Sequence, residues 1–88
     1  MDQQRGNILW IDDEIEHLKP HILFLEEKGY SISISNNGKE GIDKSKNSHF
    51  DLVLLDQFMP GLDGMETLRE IKNNNPAIPI IMITKSEE

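Results

Sequence analysis

The hydrophobic residues of the chain fall into four short clusters with the spacing of β-strands. Three clusters, residues 7–11, 52–56 and 79–83, are nearly continuous apolar runs, which are typical of parallel strands buried on both faces. The fourth cluster, residues 31–35, alternates serine and isoleucine, as in a strand with one covered face. Residues 31–35 are therefore predicted to form a strand at the edge of the sheet.

The segment between the first two predicted strands has apolar residues at helical spacing. Pro20 interrupts this segment and is expected either to kink the helix or to delay its effective start, because proline lacks a backbone N–H. Gly29 is a typical helix end. Four apolar residues spaced three or four positions apart predict an amphipathic helix: Ile15, Leu18, Ile22 and Leu25.

Two further helices are predicted. In residues 39–48, Ile42 is the only strong apolar anchor and Gly41 lowers the helix propensity, so this helix is expected to be short and loosely held. The last helix ends at residues 73–76, because three asparagines followed by a proline stop a helix. Its apolar stripe consists of Met65, Leu68 and Ile71.

This alternation of strands and helices, with short connections, predicts an α/β fold with a doubly wound parallel sheet. The 88 residues suffice for one small domain with one modest core. Parallel strands have their carboxyl ends at the same edge, and open α/β sheets bind their ligands there. Polar residues at the strand ends are therefore the first candidates for function.

Composition narrows the classes of function. Sixteen Asp and Glu against nine Lys and Arg give a formal net charge of -7, which argues against a nucleic-acid or anionic-membrane partner for this segment. The absence of cysteine excludes disulfides, cysteine zinc sites and thiol catalysis. No apolar run approaches the length of a membrane span, and the first residues lack the hydrophobic region of a signal peptide. A cytoplasmic protein is therefore expected.

Carboxylates and a hydroxyl follow three of the predicted strands. Asp12 and Asp13 come after the first strand. Asp56 closes the third strand and Thr84 follows the fourth. Three carboxylates close together need a cation to neutralise them, and oxygen ligands without cysteine favour Mg²⁺ or Mn²⁺ over zinc. Without Asp56, the paired acids could instead be the N-terminal acids of a helix.

The segment around Asp56 has the chemistry of a phosphoryl site. A carboxylate beside a divalent ion can act as a nucleophile toward a phosphoryl group, and the Thr84 hydroxyl is suited to a phosphoryl oxygen. Because the transferring group is loose and its charge is spread, positioning and charge neutralisation supply most of the chemistry. Pro60 favours a tight turn after Asp56, and Asp63 can cap a helix that begins near Gly64.

Together these features resemble the receiver domain of bacterial two-component response regulators. The resemblance rests on the paired acids at positions 12 and 13, on the run LLD-x-x-MPG-x-DG over residues 54–64 and on the hydroxyl of Thr84. It covers nearly the whole chain, in order. It implies a flavodoxin-like sheet with strand order 2-1-3-4-5 and a phospho-accepting signalling module that is not an enzyme.

The resemblance also implies a role for each candidate residue. Asp12 and Asp13 would hold Mg²⁺, Asp13 more directly, together with Asp56. The backbone carbonyl of Phe58 would be a further ligand. Asp56 would accept the phosphoryl group from a sensor histidine kinase, and the Thr84 hydroxyl would bond to that group and so report phosphorylation. A downstream output domain or protein is the second implied partner.

Two further features bear on this resemblance. Residues 12–30 and the ending ITKSEE resemble, more narrowly, PorX-type regulators. The family's fourth helix, fifth strand and fifth helix have no counterpart, so residues 1–88 are interpreted as a receiver domain truncated at its C-terminal end. Lys85 follows strand four and does not replace the lysine of the family's fifth strand. The bare fourth strand predicts a dimer or a swapped oligomer.

Three other functions stay open on the residues alone. A receiver-like docking module would act without phosphorylation. A Mg²⁺-dependent phosphatase of the haloacid dehalogenase type also uses an aspartate nucleophile, but it has a second acid two residues later, where this chain has Phe58. A flavodoxin-like cofactor binder would need a phosphate-binding loop after the first strand, where residues 12–14 are all acidic.

Overall fold

The computed structural model describes residues 5–84, and it has the predicted alternation of strands and helices. Element boundaries lie within a few residues of the predicted ones, apart from the start of the first helix. No helix within residues 5–84 is long and apolar enough to cross a membrane. In chain order the elements are β1 (Gly6–Ile11), α1 (Lys19–Glu27), β2 (Tyr30–Ser35), α2 (Gly38–Asn47), β3 (Leu52–Asp56), α3 (Gly64–Asn74) and β4 (Ile80–Ile83).

The four strands form one parallel sheet in the order β2-β1-β3-β4. This order confirms the flavodoxin-like α/β fold and the edge position of β2. The ladder between β1 and β2 ends with the amide of Asp12, which donates to the carbonyl of Ser35 at 3.0 Å. Successive carbonyls of a strand point to opposite sides, so the carbonyl of Ile34 points out of the sheet, where the ammonium of Lys44 donates to it.

Pro20 delays the start of the first helix, which was one of the two outcomes expected from the sequence. A single turn of 3-10 helix over Ile15–Leu18 comes first, and α1 begins at Lys19 with the proline in its first turn. A proline is tolerated there because the first amides of a helix have no partner within it. The predicted stripe is the covered side of this segment, but Ile15 is its only buried residue and α1 has none.

Helix α2 is held more closely than its sequence indicated. Asn37 caps it, because its side-chain oxygen accepts from the amide of Glu40 at 2.8 Å. A Cβ at Gly41 would lie 2.3 Å from Cδ1 of Ile11. The glycine that lowered the predicted helix propensity is therefore what lets α2 approach β1, and Ile42 beside it is buried.

The predicted apolar stripe of α3 was wrong at one position. Ile71 is fully buried and Leu68 packs against the core, but Met65 is 45% exposed. Thr67 is buried in its place, with its hydroxyl donating to the carbonyl of Asp63 at 2.8 Å. A polar residue can replace a methionine in the buried stripe because its hydroxyl is satisfied within the helix.

The two faces of the sheet are covered unequally. The face toward α2 and α3 carries fully buried Leu9, Ile11, Val53 and Leu55. On the opposite face one row of register partners crosses all four strands, and it is most exposed at the two outer strands: Trp10 in β1 is 7% exposed, whereas Ile34 in β2 is 42% and Ile81 in β4 is 52% exposed. The ends of this face at β2 and β4 are therefore apolar and open to solvent.

Candidate metal centre

The carboxyl ends of β1 and β3 bring the three predicted acids together. Ile11 and Leu55 are register partners in adjacent parallel strands, so the residues that follow them, Asp12 and Asp56, lie side by side. Asp12, Asp13 and Asp56 each offer an oxygen, and these oxygens all lie within 4.8 Å of one another. The predicted convergence of the acids on one edge of the sheet is confirmed.

The three acids differ in their exposure and in their backbone contacts. Asp12 and Asp56 are 0% exposed, whereas Asp13 is exposed. Each buried carboxylate accepts from the backbone amide two residues later: Glu14 donates to Oδ1 of Asp12 at 2.8 Å, and Phe58 donates to Oδ1 of Asp56 at 3.2 Å. The site therefore combines two buried carboxylates, each held by a backbone amide, with the solvent-exposed carboxylate of Asp13.

A helix-capping role does not account for the paired acids. The N-cap residue of the 3-10 turn is Glu14, and no side chain caps that turn. Burial of two like charges close together is unfavourable unless a cation compensates them. The donor set consists of carboxylate oxygens alone, which suits a hard cation such as Mg²⁺. His17, His21 and His49 are all exposed and do not belong to the cluster.

Thr84 and Phe58 flank the acidic cluster. The amide of Gln57 donates to the carbonyl of Ile83 at 3.0 Å, so Thr84 directly follows the residue that pairs with Asp56 in the β3–β4 ladder. Thr84 is exposed, and Phe58 is 65% exposed beside Asp56. The loop after β3 lines a shallow cavity of about 390 Å³, formed by Gln57, Phe58, Met59, Pro60, Asp63 and Met65.

The start of α3 supports this loop through contacts that the sequence analysis did not assign to the site. Asp63 and Glu66 form a reciprocal capping box, with bonds of 2.9 and 3.2 Å between each side chain and the other residue's amide. The amide of Gly64 donates to the carbonyl of Gln57 at 3.1 Å. The sequence signal for the cap was the aspartate before a glycine, but the contact with Gln57 has no local signature.

Comparison with families of known proteins gives one assignment for almost the whole chain. A family model described as the response regulator receiver domain matches residues 8–88. This match covers the strand ends and the loop that carry the acidic cluster.

Individual relatives agree with this assignment. The chain is 40% identical over 84 residues to the transcriptional regulatory protein ZraR of Klebsiella oxytoca, covering 96% of this chain and 19% of ZraR. It is 43% identical over 90 residues to the transcriptional regulatory protein ResD of Bacillus subtilis, covering 100% of this chain and 37% of ResD. The chain thus spans between about a fifth and two fifths of the length of these curated relatives.

Solved structures give the same result for the fold. The response regulator TrrA of Thermotoga maritima, crystallised in complex with Mg²⁺-BeF, superposes with a TM-score of 0.84 at 34% identity, covering 99% of this chain and 72% of TrrA. A CheY-like receiver domain from Methanospirillum hungatei superposes with a TM-score of 0.85 at 32% identity. The match covers 93% of this chain and 66% of the Methanospirillum hungatei chain. With the flavodoxin-like sheet and the matching family model, these similarities confirm the predicted receiver of two-component signalling: the chain belongs to the response regulator receiver domain family.

Proposed function

We propose that Asp56 accepts a phosphoryl group from a sensor histidine kinase and that the other site residues prepare it for this step. The observation that carries the proposal is the convergence of Asp12, Asp13 and Asp56 at the end of two adjacent parallel strands, with oxygens within 4.8 Å of one another. Of the three, Asp56 is itself the last residue of its strand, the interior strand β3, and it is followed by the loop that lines the shallow cavity. A rigid strand end of this kind suits a nucleophile.

The donor set fits Mg²⁺. We assign Asp12, Asp13, Asp56 and the backbone carbonyl of Phe58 as its ligands, because hard cations prefer carboxylate and carbonyl oxygens. The similarity to TrrA, which binds Mg²⁺-BeF, supports this assignment. When bound, the ion would neutralise negative charge on the carboxylates and on the incoming phosphoryl group.

The chemical step joins a carboxylate oxygen of Asp56 to the phosphorus of a phosphohistidine. The bond between the histidine nitrogen and phosphorus breaks, and that nitrogen keeps the electron pair and takes up a proton. The amide of Phe58 holds Oδ1 of Asp56, which orients the carboxylate before the donor arrives. Thr84, at the end of β4, is assigned to donate its hydroxyl to a phosphoryl oxygen of the product.

The proposal extends to partners and context. The kinase and a downstream output domain or protein are the expected partners, in the cytoplasm, and residues 1–88 are assigned to one receiver domain. The exposed apolar edge at β4 favours a dimer or swapped oligomer of this chain. The narrower similarity to PorX-type regulators stays a prediction. A dehalogenase-type phosphatase is disfavoured because position 58 is Phe, and no specific observation favours a phosphorylation-independent docking role.

Incubation with acetyl phosphate and Mg²⁺, followed by intact mass measurement, tests the function. We expect a mass gain of one phosphoryl group in the wild type and none in Asp56→Asn. Beryllofluoride with Mg²⁺ should give an adduct detectable by ¹⁹F NMR under the same dependence on Asp56. The absence of both signals from correctly folded wild-type protein would refute the phosphoryl-acceptor function of this chain.

A further inference from the structure

We propose that Gly64 is a positioning residue for the acidic cluster, because its lack of a side chain sets the position of the backbone at Asp56 and Gln57. The inference rests on the proposed function, since it assigns Gly64 a role toward the metal and the phosphoryl group. It concerns contact between the first residue of α3 and the end of β3. Neither the sequence pattern nor the acidic cluster itself assigns this role.

The contact is with main-chain atoms only. A Cβ at Gly64 would lie 2.5 Å from the carbonyl oxygen of Asp56, 2.7 Å from Cα of Gln57 and 2.8 Å from the carbonyl oxygen of Gln57. All three distances are well below van der Waals contact, and backbone atoms cannot rotate away as a flexible side chain can. Gly64 is buried at this place, so an added carbon has to displace one of the two segments.

The conformation of Gly64 does not itself require glycine. Positive φ angles occur at Gly29 and Gly61 among the glycines of residues 5–84, so Gly64 has a φ that alanine adopts without strain. Alanine also has the higher helix propensity. Any harm done by alanine at position 64 therefore comes from the contact with residues 56 and 57.

Both sides of the contact are fixed by their own neighbours. On the strand side, the amide of Gln57 bonds to the carbonyl of Ile83 at 3.0 Å. On the helix side, Asp63 and Glu66 close the capping box, and Ile71 anchors α3 in the core. An added carbon therefore strains the short segment between them, which begins with the Phe58 amide that holds Asp56 and includes the Phe58 carbonyl assigned to the metal.

The test compares Gly64→Ala with Gly38→Ala, a second buried glycine that faces the same helix. A Cβ at Gly38 would lie 2.3 Å from Oγ1 of Thr67 in α3 and 3.0 Å from the carbonyl oxygen of Leu62 at the far end of the loop. This control therefore overpacks α3 and the end of the loop, whereas the nearest atoms to a Cβ at Gly64 belong to Asp56 and Gln57. Mn²⁺ affinity is measured by electron paramagnetic resonance, the beryllofluoride adduct by ¹⁹F NMR, and the amide of Phe58 by ¹⁵N NMR. Circular dichroism and thermal unfolding establish that each variant is folded.

We expect Gly64→Ala to weaken Mn²⁺ binding on the order of ten-fold, as loss of a group that orients metal ligands typically does. It should also shift the ¹⁹F signals of the adduct and the amide resonance of Phe58. Gly38→Ala should lose thermal stability but keep the wild-type Mn²⁺ affinity and both NMR signatures. A folded Gly64→Ala with wild-type affinity and spectra, or equal losses in both variants, would overturn the positioning role.

Failure of the proposed function gives a different result. In that case the wild type itself forms no adduct, while the Phe58 amide still reports whether position 64 sets the backbone beside Asp56. An unshifted Phe58 amide in folded Gly64→Ala then overturns the inference on its own.

A second pair of variants applies if Gly64→Ala does not fold. Asp63→Ala opens the capping box of α3 and Asn37→Ala removes the corresponding cap of α2. We expect several-fold weaker Mn²⁺ binding in the first variant, with Asp63→Asn retaining the cap without the charge and binding Mn²⁺ more tightly than Asp63→Ala. Unchanged Mn²⁺ affinity in Asp63→Ala, or an equal loss in Asn37→Ala, would overturn the role of the α3 start.

Discussion

Two aspartates at opposite ends of β3 have the same side chain and opposite environments. Asp51, before the strand, is exposed; its Oδ2 accepts from the amide of Asn7 at 2.8 Å and its Oδ1 lies 3.1 Å from Nε2 of His49. Its own amide donates to the carbonyl of Asn7 at 2.7 Å. Asp56, at the end of the strand, is 0% exposed beside two other carboxylates.

This difference separates a structural carboxylate from the proposed phosphoryl acceptor. Asp51 joins the start of β3 to the start of β1 and gains two partners that favour its charge. The amide of Asn7, and to a smaller degree the His49 side chain, hold the pKa of Asp51 below its ordinary value of 3.8. Asp56 instead lies beside two other carboxylates, an arrangement that a divalent cation would stabilise. The neighbours of each aspartate therefore decide its role. The two sets of neighbours lie apart because β3 places Asp51 and Asp56 at its opposite ends.

The largest expected difference is in phosphorylation itself. Asp56→Asn should lose the whole mass gain with acetyl phosphate, because an amide oxygen is not a nucleophile comparable to a carboxylate. Asp51→Asn, at the other end of the same strand, should still be phosphorylated. Intact mass spectrometry of both variants measures the difference, and phosphorylation of Asp56→Asn would assign the acceptor to another residue.

The next largest difference is expected in metal affinity, between a variant of the acidic cluster and a variant of Asp51. Asp12→Asn is expected to weaken Mn²⁺ binding at least as much as the roughly 10–100-fold lost when a supporting partner of a ligand is removed. Asp51→Asn removes the same charge from the protein and should change the affinity little, because surface charges at a distance are screened by salt. Titrations at 0.15 M salt test this, and equal losses in the two variants would mean that overall charge, not ligation, governs binding.

The same Asp-to-Asn substitution should change stability in opposite directions at the two ends. In metal-free protein, Asp56→Asn relieves repulsion among charges within 4.8 Å and should raise the free energy of unfolding by roughly 1–3 kcal/mol. Asp51→Asn should lower it, because the bond to the Asn7 amide loses its charge assistance. Urea unfolding without divalent ions gives both values. A decrease for Asp56→Asn would show that its buried charge is already compensated without metal.

The smallest expected effect is the pH dependence at Asp51. Because its folded-state pKa is depressed, the carboxylate stabilises the fold fully above the unfolded value near 3.8, and this contribution is lost as the pH falls through the lower folded-state pKa. The stability difference between wild type and Asp51→Asn should therefore shrink as the pH is lowered from about 5 toward about 2. A difference that is constant over this range would contradict the role of the charge.

Much of the fold and of the site could be predicted from the sequence because both depend on local patterns. Apolar runs that end in acids identify strands and their ends, and parallel pairing then brings Asp12 and Asp56 together without further information. The loop motif around Asp56 predicted the helix cap at Asp63 for the same reason.

Other features depend on contacts between distant residues, and no local pattern reports them. The bond between Asp51 and Asn7 joins residues 44 positions apart. Gly41 lowers the helix propensity of its segment. Its missing side chain nevertheless allows α2 to pack closely against Ile11 of β1. Met65 has helical core spacing, yet the helix is rotated so that Thr67 is buried instead.

The lysine that covers the outward carbonyl of β2 has a consequence for self-association. With Lys44 bound to the outward carbonyl of Ile34, a positive charge covers the outer side of β2. A second chain that added a strand beside β2 would have to displace this ammonium before its own amide could reach that carbonyl. Replacing Lys44 by a neutral residue should therefore increase self-association through β2, which light scattering would detect.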